Sequence, residues 1–332
     1  MSWFTKLTGI EEESPAQVRQ QLSVDGDCIV CPGGRQIAFG RLELPKLSEL
    51  RRVVADLQTE SRPSILREVV GDVRGLHADP ANAGALFQVA SQFNLLEMIG
   101  PSITPERGVG IYENDPTQGP ACAIVCGAGT IYRNYFVDVN GQTGQSADKQ
   151  IDCSADLGQQ LGNTGGRLWK MQNGYLLPSD EGLAEVTQTI RAASEADREA
   201  FLGELRIGLQ LDAEVTIDGA GHRVSQAYCS ALPVAYGRQP VDRWTDFAQL
   251  ILDAAYEATL AAAVINAVRT GNRVGYLTWL GGGVFGNRND WIMAAIERAF
   301  RKHAQHGLDV RIVSYWQSKP VVAELVSRLT RS

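Results

Sequence analysis

The chain lacks any run of about 18 consecutive apolar residues, the length at which a helix can span a bilayer. Its most Ala-rich stretch, Ala261 to Val268, is too short for that and reads as a buried helix. No membrane partner is therefore expected. A basic-then-apolar leader is also missing: Met1-Ser2-Trp3-Phe4-Thr5-Lys6 runs into the acids Glu11–Glu13, so no secretion signal is read. Cysteine is scarce, six in 332 residues, which excludes a disulfide scaffold and makes a reducing cytoplasm the expected compartment. Positive charge is in deficit, with 31 Lys+Arg against 38 Asp+Glu and a formal net charge of -7. A chain of that sign is not expected to hold nucleic acid by neutralising phosphates. A small anion is another matter, because a few backbone N–H groups bind phosphate without net positive charge. Hydrophobic residues at 44% and charged residues at 21% exclude disorder, and the length suffices for a sizeable core.

Cys28-Ile-Val-Cys31 is followed by Pro32-Gly33-Gly34, which is turn chemistry, whereas a redox pair opens a helix. A zinc site needs a second pair, and Cys122/Cys126 have a three-residue gap and no nearby histidine. These thiols are expected to be small buried hydrophobes. Neither metal nor cofactor is expected.

Glycine is abundant, at 34 residues, and its placement carries the reading. Residues 1–62 read as an N-terminal helical extension, with helical spacing from Lys46 to Leu57 and a stop at Arg62-Pro63. Residues 63–332 read as the main domain, with an insertion at about 138–220 over its surface. Ala85 to Ala90 is a strand, residues 101–120 a long binding loop, and Ala121 to Tyr135 one tight helix. Trp244 to Val268 is a long helix, Arg273 to Leu280 a strand, Asp290 to about His303 a helix and Val310 to Ser314 a strand. That alternation is α/β texture with a parallel sheet.

Between that strand and helix lies Gly281-Gly282-Gly283-Val284-Phe285-Gly286. The spacing satisfies G-x-G-x-x-G, yet a dinucleotide fold places this turn on its first strand, with an acid about 20 residues on. Here the loop is late and the next strand ends in Ser314-Tyr315-Trp316. A Walker loop needs Gly-Lys-Ser/Thr, and Asn287-Arg288 follows Gly286. Three consecutive glycines are costly in chain entropy, so a ligand approaching the backbone is a better reading than a bare turn.

The order strand, Gly283-Val284-Phe285-Gly286, helix resembles the late diphosphate loop of macrodomains, which bind ADP-ribose. Val70-Gly71-Asp72-Val73 is similar to that family's Gly-Asp-Ile opening, and Phe87–Asn94 to the strand ending in an asparagine beside the distal ribose. Across Phe87 to Asn287, the phrases FQVASQFNLLEM, TQGPACAI, YRNYF, YCSALPVAY, YEATL and GGGVFGN resemble the MavL type of macrodomain protein. That branch is related to poly(ADP-ribose) glycohydrolases and removes ADP-ribose from arginine. The ordinary Gly-Gly-Gly-Val loop after the asparagine is absent, and Thr104 to Gly119 takes its place. The resemblance implies a three-layer α/β/α fold with a mixed, largely parallel sheet. It also implies an ADP-ribose ligand, an ADP-ribosylated protein substrate (ubiquitin being one candidate) and hydrolysis at the anomeric carbon of the distal ribose. Its ligand set would be Asp72, which reads adenine, with Val73, Gln92, Asn94, Gly281, Gly282, Gly283, Val284, Phe285, Gly286 and Asn287. A reader of ADP-ribose or a related metabolite, without catalysis, is the alternative.

Glycoside cleavage passes through oxocarbenium-like charge, so a carboxylate near the anomeric carbon is needed. Asp115, with Glu113 beside it, is the first candidate in the loop Tyr112–Gly119. Glu257, in an otherwise apolar stretch, must be paired or face a site. An ion pair with Arg133 is its plainer explanation. His222 is read as structural, and Cys122 and Cys229 have no adjacent histidine for thiol catalysis.

Overall fold

A computed structural model describes residues 1–57 and 60–330. Seven strands form the central sheet: β1 Arg41–Glu43, β2 Ile65–Val70, β3 Leu86–Ala90, β4 Gly208–Glu214, β5 Arg223–Cys229, β6 Val274–Leu277 and β7 Asp309–Ser314. Their order is β1-β4-β5-β3-β6-β7-β2. The five strands from β5 to β2 are mutually parallel, and β4 pairs antiparallel with both β5 and β1. The sheet is thus mixed and mostly parallel, as expected. Its centre shows why: Leu86-Phe87-Gln88-Val89 are all buried, the apolar run of a strand covered on both faces.

One helical layer is built around Thr245–Thr270, against which Leu47–Asp56, Asp180–Ala192, Glu195–Gly203 and Asn289–Lys302 pack. Thr245–Thr270 is long and apolar enough to cross a membrane by length and composition, but its most apolar 18 residues are 83% buried inside the protein. Gly271, at φ 80, ends it in the left-handed conformation that glycine adopts without strain. The opposite layer holds Val73–Ala78, Gln118–Val125 and Gly127–Tyr135.

Three expectations need correction. The single helix over 121–135 is two helices meeting at Cys126, whose φ/ψ of -107/57 is not helical. The N-terminal extension is not only helical. Besides Trp3–Thr8, Pro15–Gln21 and Leu47–Asp56 it forms the antiparallel strands Ser23–Asp25, Cys28–Val30 and Gln36–Ala38, and it contributes β1 to the edge of the central sheet. The stretch 138–220 is not wholly superficial, because β4 lies within it and is second in the sheet. Its polar residues conceal that role: Gln210 is fully buried and satisfied by Arg133 and the Phe39 carbonyl.

Two cores result. The larger surrounds the sheet and Thr245–Thr270. The smaller joins Trp3, Phe4, Val18, Ile29 and Phe39 to Leu96, Met98, Val109, Tyr112 and Ile131.

Candidate active site

Parallel sheets bind ligands beyond the carboxyl ends of their strands, where neighbouring connections diverge. That divergence is visible between β3 and β6. Their pairing stops at Phe87–Tyr276, although β3 continues to Ala90. Gln118 fills the gap from the first turn of its helix, accepting from the Ala90 N–H at 3.0 Å and donating to the Gln88 carbonyl at 2.9 Å. Above this split lies a cleft of ≈ 620 Å³. The turns after β2, β3, β6 and β7 all reach it, bringing Asp72, Gln92, the glycine loop and Tyr315 together.

The glycine loop forms one wall. Gly281, at φ 74, is required internally, since a Cβ there would lie 2.5 Å from Ala231 and 2.6 Å from Asn287. Gly283 differs: a Cβ on it would meet nothing within 4 Å, so no neighbour demands glycine there. Among the described residues, the N–H groups of Gly283, Val284 and Phe285 donate to no protein acceptor. Successive free amides on a concave wall are the usual makings of an anion cradle. Phe285 packs against Tyr175 and Tyr236 with ring centroids 5.5 and 5.7 Å apart, and all three rings line the cleft.

The cleft also carries acid. Asp115 lines the cleft, half-buried, and its Oδ1 accepts from the Thr117 N–H at 2.9 Å. Glu97, 4% exposed, lines it too, and its Oε1 has no hydrogen-bond partner. Burial pushes this carboxyl well above the usual carboxylate range; Arg133 opposes the shift and the Asp115 charge adds to it. Burial thus favours the protonated form of Glu97, whose Oε1 is buried beside the cleft without a partner.

The residues singled out in the sequence divide accordingly. Asp72, Val73, Gln92, Gly281, Gly282, Gly283, Val284, Phe285 and Asp115 line the cleft. Asp72 also caps its helix, accepting from the Arg74 N–H at 2.8 Å. Asn94, Gly286, Asn287, Glu113 and Glu257 are not brought to it. Asn94 is wholly buried, bonded to Gln150 at 2.8 Å and to the Leu96 N–H at 3.1 Å, and fixes a turn. Asn287 staples the glycine loop from behind through the Leu232 and Gly281 carbonyls. Gly286, at φ 73, closes that loop through its N–H to the Gly283 carbonyl. Glu113 is exposed and accepts from the Trp3 N–H at 3.0 Å.

Glu257 belongs to an ion cluster beneath Thr245–Thr270, with Arg51 at 2.5 Å, Lys302 at 3.2 Å and Arg298 also paired to it. Burial alone would raise its pKa, but the Arg51 and Arg298 guanidiniums override that and hold it down to about 2. Arg133 is not its partner: it donates to Leu95, Gln210 and Thr130 and lies 3.7 Å over the Tyr228 ring. Sequence reading missed Glu97, Gln118, Arg74, Tyr175, Tyr236, Tyr315 and Lys319 as lining residues. For Glu97 a signal existed, a lone acid inside the apolar phrase Phe93-Asn94-Leu95-Leu96-Glu97-Met98.

No protein-family model matches the chain, and no curated protein matches its sequence. Solved structures that resemble it include poly(ADP-ribose) glycohydrolase from Thermomonospora curvata, at 14% identity over 96% of each chain with a TM-score of 0.42. Another is poly(ADP-ribose) glycohydrolase from Deinococcus radiodurans in complex with ADP-ribose, at 11% identity over 88% of this chain and 94% of that one, TM-score 0.44. At these identities and scores no residue role passes from those enzymes to this chain.

Proposed function

We propose that the cleft binds ADP-ribose and that the protein hydrolyses it from modified arginine on a protein substrate, ubiquitin being one candidate. A single juxtaposition carries the reading: the glycine loop, with its free amides, lines the same cleft as Asp115 and Glu97, whose pKa burial raises. In this scheme the diphosphate lies on Gly283–Phe285, with Phe285 and Tyr236 against the distal ribose. Asp72 and Tyr315 serve the adenine end, where Arg74 and Lys319 add positive charge.

The distal anomeric carbon then falls toward the acid wall. Asp115 opposes the oxocarbenium-like charge that develops there and orients the attacking water, while Glu97 supplies or shares a proton. A carboxylate also suits a guanidinium leaving group, which it can grip through paired N–H donors. The residues in this scheme call for neither metal nor cofactor.

The test is incubation with an arginine-ADP-ribosylated protein while free ADP-ribose is followed. Steady release supports the hydrolase. ADP-ribose binding without release leaves a non-catalytic reader, and no calorimetric heat with ADP-ribose rejects both.

A further inference from the structure

We propose that Glu12, outside the cleft, is a positioning residue that fixes the loop 108–115 carrying Asp115 and backing Glu97. The inference rests on the hydrolase reading for its consequence in catalysis, and on hydrogen bonds for its geometry. Oε1 of Glu12 accepts from the Val109 N–H at 2.9 Å and from the Tyr135 hydroxyl at 2.6 Å, and Oε2 accepts from the Gly110 N–H at 2.6 Å. Three donors thus converge on one carboxylate, the charge-assisted kind of bond that is short and strong. The loop leaves room for it: a Cβ on Gly108 or on Gly110 would lie 2.6 Å from Oε2. Gly108 also needs φ 86, where a side chain is strained. A second tie comes from Trp3, whose indole N–H donates to the Val109 carbonyl at 3.1 Å.

From this anchor the bonds run on to the acids. Tyr112, fully buried, accepts from the Glu97 N–H at 2.9 Å through its hydroxyl, and its carbonyl accepts from the Asp115 N–H at 3.1 Å. Between 99 and 117 the backbone forms no strand or α-helix, only a turn closed by the Ile103 N–H on the Gly100 carbonyl and the short 3-10 turns Pro105–Arg107 and Gly110–Asn114. With no ladder of its own, this loop depends on outside bonds to hold one geometry. Misplacing a reacting group by about 1 Å can cost about 100-fold in rate, so an anchor here acts on turnover without touching substrate.

The experiment compares the full-length protein with Glu12→Gln and Glu12→Ala by peptide-resolved hydrogen exchange and by turnover of the arginine-ADP-ribosylated protein. Exchange over 99–117 should rise about tenfold in Glu12→Ala, while 274–287 and ADP-ribose affinity stay within about twofold. The kcat should fall about tenfold to 100-fold at nearly constant KM, with Glu12→Gln milder because one carbonyl oxygen still accepts. Unchanged exchange over 99–117 overturns the proposal whatever the activity does. An equal rise throughout the chain overturns it as well, because Glu12 would then only stabilise the fold. Should Glu12→Ala fail to fold, Tyr135→Phe removes one donor, keeps the carboxylate and is read the same way. Absence of wild-type turnover sinks the hydrolase reading alone, and the exchange measurement still decides for Glu12.

Discussion

Two buried glutamates set the residue scale, because burial has opposite consequences for them. Glu257 is ionised and held down to about 2 by its arginines, so its contribution to stability is present above the ordinary value of 4.5. That contribution is lost as pH falls from there toward about 2. Glu257→Ala should cost about 2–3 kcal/mol at pH 7, less than a fully buried pair, because Arg51, Arg298 and Lys302 reach solvent. Chemical denaturation measures this loss, and ADP-ribose affinity should stay unchanged. Glu97 carries the reverse sign. Its folded-state pKa is raised, so the native state binds the extra proton and stability declines as pH climbs above 4.5 toward the folded value. Glu97→Gln, neutral at every pH, should match or exceed the wild-type Tm at pH 8 yet lower kcat about 100-fold. A melting curve that drops instead would show that Glu97 is ionised and paired. The rule that a buried acid is either paired or at a site was applied in the sequence to Glu257 alone. Nothing in either local phrase says which fate applies, since the pairing arginines lie 206 and 41 residues away.

At the scale of elements, the glycine loop was legible and its supports were not. Its strand, turn and helix follow from spacing, but the structure separates its glycines by physical need. Gly281→Ala should be destabilised by about 1–2 kcal/mol, being both crowded and at positive φ. Gly283→Ala should change stability by less than about 0.5 kcal/mol, since nothing lies within 4 Å, while weakening ADP-ribose binding about tenfold by intruding on the diphosphate. Calorimetric titration of the two variants checks the contrast, and unchanged affinity in Gly283→Ala would move the diphosphate elsewhere. Asn94 shows the limit of pattern reading: it occupies the right place in the chain, yet both ends of its amide are spent on Gln150 and Leu96. Similarly β4 escaped notice because Gln210 and Glu214 look solvent-facing until Arg133 and the Ala38 N–H are found bonded to them. Long-range satisfaction of polar groups leaves no local trace in a sequence.

For the whole molecule, the two walls of the cleft belong to different cores. Leu280 and Phe285 pack with the sheet core, whereas Leu96, Met98 and Tyr112 beside the acids pack with the N-terminal core. A ligand reaching both walls would therefore couple two packing units, and the net charge of -7 does not oppose it, because the proposed phosphate contacts are backbone amides. At 100 times its Kd, ADP-ribose should stabilise the native state by about 2.7 kcal/mol, raising Tm by about 4 °C. The distribution of that stabilisation is more telling than its size. Hydrogen exchange with bound ADP-ribose should slow in both 278–287 and 91–120 if, as proposed, the diphosphate covers the first and the distal ribose orders the second. Protection confined to 278–287 would place the ribose away from Glu97 and Asp115. The same glycine loop would then serve a binding module, and the acids opposite it would have no bond to break.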